Sequence, residues 1–157
     1  MAGKKRQTVE MMPEWQRVRQ RFWPQLLDYM RAQDFHLFAR RKANRARHLN
    51  VPASLPGCEY HLVFNDKDVR VEIYVHLSDR RSSKRLFDML AKHREDIESR
   101  FGHKLEWRRL DRKKGSRIRF SYQRTTSGED DWPFLYHWFY IHAKKLSEAF
   151  DPIFEHY

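Results

Sequence analysis

The sequence predicts an α+β domain: an antiparallel sheet of four to five strands with helices packed on one face. Three observations carry this. Two stretches, 59–76 and 104–123, alternate apolar and polar residues on both sides of a short turn. Each is followed by apolar residues recurring at spacings of three and four. A further stripe of that kind opens the chain. A period of two marks a half-buried strand, and a period near 3.6 marks an amphipathic helix.

In the opening helix Trp15, Val18, Phe22, Leu26, Tyr29 and Met30 share one side. Pro24 interrupts the pattern and predicts a kink or a fresh first turn, because proline gives no N–H to the helix ladder. The pattern ends near Gln33. Residues 34–58 read as irregular, with a short strand over 47–51 and a loop marked by Pro52, Pro56 and Gly57.

The first hairpin places 59–65 and 69–76 around the turn Asn65-Asp66-Lys67-Asp68. Val69, Val71, Ile73 and Val75 point one way; Arg70, Glu72, Tyr74 and His76 point the other. One helix is then expected from the cap residues Asp79–Ser83 to Phe101. Leu86, Met89, Leu90, Ile97 and Phe101 form its inner stripe, with His93 on or near it, and Gly102 closes it. The second hairpin, 104–110 and 116–123, turns at Lys113-Lys114-Gly115. Ile118, Phe120 and Tyr122 alternate with Arg117, Arg119, Ser121 and Gln123.

Asp131 is the expected cap of the last helix, with Pro133 in its first turn and Pro152 at its end. Leu135, Trp138, Ile141, Leu146 and Phe150 give that helix its stripe. Residues 59–101 and 104–150 are thus two consecutive ββα units behind an N-terminal helix. Helices must cover the Val and Ile rows, which leaves the other sheet face open. Residues 1–12, polar and basic, read as a disordered tail, and 13–157 as a single α+β domain.

Charge sets the expected partners. The chain carries 32 Lys and Arg against 21 Asp and Glu, a net charge of +11. Residues 1–50 hold 12 basic and 4 acidic side chains, and the remainder holds 20 and 17. Such a bias points to polyanions, above all nucleic acid. Cys58 is the only cysteine, which excludes an internal disulfide and a Cys-based zinc site and suits a reducing, cytoplasmic setting. No apolar run reaches the roughly 18–20 residues of a membrane span, so no membrane partner is expected.

Two surfaces are candidates for that charge. The open sheet face brings together Arg70, Tyr74, Arg108, Arg117 and Arg119, with Glu72 and Glu106 among them. Arginine's planar fork matches a phosphate with two parallel hydrogen bonds, and Tyr74 offers a ring for a base. The segment Arg40, Arg41, Lys42, Arg45 and Arg47 puts five basic residues in eight, with no acid among them, and reads as an interaction arm. The bland alternatives are a solvated sheet face and a solvated loop.

Catalytic signals are sparse. His137 and His142 are five apart and do not share a helix face. Neither GxxxxGK[ST] nor GxGxxG occurs. A metal-dependent nuclease needs a strand carboxylate in an acid-x-Lys triplet, but Glu72 is followed by Ile73-Tyr74. Glu129-Asp130-Asp131 fits a helix cap better than a metal site. Cys58 has no base beside it in the sequence. No cofactor or metal is implied. The one enzymatic reading would use Glu72, Tyr74 and His76, and requires a pocket over that face.

Several segments together are similar to a known family. Phe22-Trp23 with Leu26-Leu27-Asp28-Tyr29 resembles its opening helix, and Val69-Arg70-Val71-Glu72-Ile73-Tyr74-Val75 its central strand. Leu86-Phe87-Asp88-Met89-Leu90 and Ile97-Glu98-Ser99-Arg100-Phe101-Gly102 resemble its middle helix. Leu105-Glu106-Trp107-Arg108-Arg109-Leu110-Asp111, Ser116-Arg117-Ile118, Asp131-Trp132-Pro133 and Phe150-Asp151-Pro152-Ile153 complete the match over 15–153. The family is the bacterial and archaeal domain of unknown function numbered 4268. Its members often follow a part that resembles restriction-type nucleases, which implies DNA handling or genome defence. The resemblance supplies no catalytic residues. The expected function is a non-catalytic accessory module that binds nucleic acid, DNA in preference, beside a separate partner. The alternative is a protein-interaction or homodimer module, suggested by the aromatics Tyr136, Phe139, Tyr140, Phe154 and Tyr157.

Overall fold

A computed structural model describes residues 14–41, 48–126 and 128–157. The expected tail over 1–12 lies outside them. Helix α1 spans Glu14–Ala32 and strand β1 His48–Pro52. Strands β2 (Cys58–Phe64) and β3 (Asp68–Val75) form the first hairpin. Helices α2 (Arg80–Ala91) and α3 (Arg94–Phe101) follow. Strands β4 (Glu106–Arg108) and β5 (Ser116–Gln123) form the second hairpin, and α4 (Trp132–His156) closes the domain.

All strand pairs are antiparallel, in the order β1-β2-β3-β5-β4. The α+β class, the five strands and the two hairpins side by side are as the alternation predicts. The register pairs Val71 with Leu62 and Phe120, and Ile73 with Tyr60 and Ile118. These residues face the helices and, apart from the half-buried Phe120, they are buried. A single core runs from Phe22 and Trp23 of α1, through Val69, Val71 and Ile73, to Leu135, Phe139, Leu146 and Phe150 of α4. The Phe22 and Phe64 rings stack at 4.0 Å, which seats α1 on the end of β2.

Four local expectations are corrected. First, α1 makes no fresh start at Pro24 and is one helix from Glu14 to Ala32. Buried residues on both sides of the proline, Phe22 and Trp23 before it and Leu26 and Leu27 after it, hold one continuous face against the core. Second, the single helix expected to Phe101 is two. Lys92 and His93 separate them, and the His93 backbone is at φ −98 and ψ 12. The break turns α3 so that Ile97 and Phe101 bury, while His93 Nε2 meets the Tyr157 hydroxyl at 2.8 Å.

Third, α4 continues through Pro152 to His156, because Ile153 and Phe154 extend its buried stripe. Burying two such side chains outweighs one missing hydrogen bond. Fourth, Asp131 precedes α4 but its side chain caps nothing. Its carboxylate instead accepts two hydrogen bonds from Arg124, at 2.7 and 2.8 Å. Arg124 also donates to the carbonyls of Asn65, Asp66 and Gly128, and so ties the β2–β3 turn to the start of α4.

Candidate functional site

Strand register assembles the open face row by row. Glu59, Tyr74, Arg117 and Arg108 lie across β2, β3, β5 and β4. The next row is Asn50, His61, Glu72, Arg119 and Glu106, and the next holds His48, Val63, Arg70 and Ser121. The sheet residues expected to share this face therefore do share it. His76 follows the end of β3 and stacks on Tyr74 at 5.5 Å.

The face is concave. A groove of about 460 Å³ is walled by Arg70, Arg108, Lys113, Arg117 and Arg119, with His48, Val63 and Leu110 at its margins and Glu72 in its floor. Glu72 is 1% exposed and is the one carboxylate lining the groove. Arg117 Nη1 donates to its Oε2 at 2.6 Å. Arg70 Nε lies 3.6 Å from Glu72 Oε1 and 3.5 Å from Asp68 Oδ2, too far to bond either, and is buried with no hydrogen-bond partner. Arg119 grips both oxygens of Glu106, at 2.8 and 3.3 Å, and Arg108 reaches the same carboxylate at 3.7 Å. That contact holds the Glu106 carboxyl below its ordinary pKa.

The four sheet arginines thus lean on shared carboxylates. Each guanidinium has five N–H donors, and these pairs occupy only a few of them. Lys113 has no ion-pair partner among the described residues. The pairs orient the Arg117 and Arg119 heads, and all four arginines line the groove. Tyr74 is less available. The Arg117 guanidinium lies 4.5 Å over its ring, His61 and His76 flank it, and a Cβ at Gly115 would come within 2.5 Å of it.

The histidines of this face are packed. His48 and His61 stack at 4.8 Å and 2°. His61 Nε2 meets Glu59 Oε2 at 2.8 Å, while its Nδ1 is buried without a partner. Burial lowers the His61 pKa, and the Glu59 bond only partly offsets it. Protonation would place a second N–H where no acceptor lies. Burial raises the Glu59 carboxyl, but the bond and charge of His61 bring it below its ordinary value.

Of the basic arm, Arg40 and Arg41 are exposed, and Arg41 donates to Asn50 Oδ1 at 2.9 Å on the edge strand β1. Lys42, Arg45 and Arg47 lie outside the described residues. The C-terminal aromatics are largely absorbed by the fold. Phe139 and Phe154 are buried, Tyr136 donates to Gln25 Oε1, and Tyr29, Tyr136 and Tyr140 pack together. Among the described residues, Phe134 and Tyr157 are the exposed large hydrophobic side chains.

The remaining candidate groups are engaged elsewhere. Glu129 pairs with Arg21, and Asp131 with Arg124. Cys58 is buried, which pushes its thiol up to about 12. Among the described residues, no three His, Cys, Asp or Glu side chains are grouped to hold a metal, and no helix is long and apolar enough to cross a membrane.

One organising residue has only a faint sequence signal. Lys84 is 6% exposed, and its ammonium donates to Arg109 O at 2.6 Å, Gly115 O at 2.8 Å and Ser116 Oγ at 2.9 Å. It clamps α2 to both ends of the β4–β5 connection, which carries Leu110 and Lys113 into the groove. Its signal is position: Lys84 adjoins the buried Ser83, Phe87 and Leu90 stripe of α2. Burial lowers its pKa.

Residues 18–154 match the family model described as "Domain of unknown function (DUF4268)". The chain belongs to this family. The DUF4268 match spans every strand and all four helices described here, apart from the first turn of α1 and the last residues of α4. No curated protein and no solved structure gave a match.

Proposed function

We propose that this DUF4268 chain is a non-catalytic module that binds nucleic acid through the groove on its open sheet face. The observation that carries the reading is the groove wall: Arg70, Arg108, Lys113, Arg117 and Arg119 against the single carboxylate of Glu72. Guanidinium groups already oriented by ion pairs lose little freedom on meeting a phosphate. On the family resemblance alone, we extend the proposal to DNA handling or genome defence beside a separate partner.

Fluorescence anisotropy with labelled single-stranded and duplex DNA and RNA tests it. Binding should weaken steeply between about 50 and 200 mM salt. Arg108→Glu with Lys113→Glu should weaken it by about tenfold or more, since each contact to a phosphate is electrostatic. No binding to any nucleic acid at low salt, together with a salt-insensitive dimer in light scattering, would assign the chain to oligomerisation instead.

A further inference from the structure

A second cationic cavity lies on the helix side of the β4–β5 connection. It measures about 410 Å³ and is lined by Arg80, Arg81, Lys84, Arg85 and Arg109, with Asp111 its one acid. Arg109 is neutralised by Asp88, at 2.9 and 3.0 Å, and by Asp111. The Lys84 ammonium is spent on its three neutral acceptors. Arg80, Arg81 and Arg85 are exposed and have no ion-pair partner among the described residues.

Those three arginines work against their own helix. Arg81 and Arg85 are four residues apart in α2, as are Arg80 and Lys84. Like charges at that spacing repel. Asp79 caps the helix and Asp88 lies one turn on from Lys84 and Arg85, but neither forms an ion pair with Arg80, Arg81 or Arg85 among the described residues. An anion seated between these side chains would offset their mutual repulsion.

The two cavities share one wall. Arg108, Leu110, Lys113 and Arg117 line the groove, and the intervening Arg109 and Asp111 line the second cavity. Lys84 pins the connection between them. We propose that Arg80, Arg81 and Arg85 form a second phosphate site, and that one nucleic-acid strand crosses the Arg109–Ser116 connection to occupy both. The inference rests on the reading of the groove and deepens it: the footprint extends from the groove across the β4–β5 connection to the start of α2. Charge complementarity selects the occupant, since consecutive backbone phosphates supply anions on both sides of a narrow ridge.

The test uses the full chain and labelled DNA and RNA oligonucleotides of about 20 nucleotides, long enough to span both cavities. Each contributes about 0.7 per single-strand phosphate contact to the log–log salt slope. The triple variant Arg80→Gln, Arg81→Gln, Arg85→Gln should lower affinity about tenfold and reduce the slope by about 2, with its melting temperature unchanged or raised. Affinity and slope equal to wild type, with Arg108→Glu/Lys113→Glu still impaired, would overturn the second site and leave the groove reading intact. A wild-type chain that binds no nucleic acid would overturn both. Tighter binding of labelled polyglutamate than of either oligonucleotide would transfer the surface to an acidic protein and also overturn the proposal.

Discussion

Arg117 donates from Nη1 to Glu72 Oε2 at 2.6 Å, and the carboxylate it meets is 1% exposed. A buried carboxylate at the bottom of a cationic groove sets the head of Arg117 and lies 3.6 Å from Arg70 Nε. Replacing it with alanine leaves the Arg117 guanidinium without its counter-charge, while Arg70 keeps Asp68 at 3.5 Å. The loss of a fully buried partner costs roughly 3–5 kcal/mol. Arg117 keeps 34% of its side chain in water, so about 2 kcal/mol is expected for Glu72→Ala. Urea denaturation measures it, and an unchanged midpoint would show that the pair contributes nothing.

Lys84 has three acceptors and, among the described residues, no carboxylate within hydrogen-bond reach. Lys84→Met should cost about 2 kcal/mol, because the Arg109 and Gly115 carbonyls and the Ser116 hydroxyl lose a shared donor. Arginine should not restore it, since a planar fork cannot meet three acceptors arranged around one nitrogen. Amide exchange in the 109–116 connection should accelerate in Lys84→Met. Unchanged exchange with lowered stability would mean that Lys84 serves the helix and not the connection.

Gly115 approaches the Tyr74 ring so closely that an added Cβ would lie 2.5 Å from Cε2. The ring cannot retreat, because Arg117 and His76 flank it. Gly115→Ala should therefore destabilise by about 1–3 kcal/mol, as overpacking does. Adding Tyr74→Ala should recover part of that loss if the contact is its cause. Additive losses in the double variant would place the strain elsewhere.

The histidines predict a pH dependence. His61 and His142 both have pKa values lowered, chiefly by burial. The unfolded chain therefore binds protons at higher pH than the folded one. Their contribution to stability is complete above the unfolded value of about 6.5 and declines as pH falls below it toward the folded values. Thermal melts between about pH 7.5 and pH 5 should show a falling midpoint, and His61→Gln should flatten that slope. An equally steep slope in the variant would exclude His61 as the titrating group.

The strand periods were strong enough to read the fold. Val69, Val71, Ile73 and Val75 alternate with Arg70, Glu72 and Tyr74, and the structure keeps every one on its expected face. The helix ends were harder. Pro24 and Pro152 look like breaks in isolation, yet residues beyond each are buried, and tertiary packing overrides local preference. The Lys92–His93 break has no proline or glycine to announce it.

The open face was legible as a list of residues but not as a groove. The groove takes Leu110 and Lys113 from the β4–β5 connection, whose ends Lys84 binds through contacts distant in sequence. Arg80, Arg81 and Arg85 gave no sequence signal of their own, and the cavity beside Arg109 is what joins them to the sheet arginines.

The pairing of β3 with β5 joins segments on either side of α2 and α3. Each hairpin can form early from local contacts, but docking one on the other must close a long intervening loop. Glu72 belongs to the first hairpin, and Arg117 and Arg119 to the second. The cationic groove therefore does not exist in either folding unit. It exists only when β3 is paired with β5, so a chain lacking that pairing carries the same net charge without the shaped site.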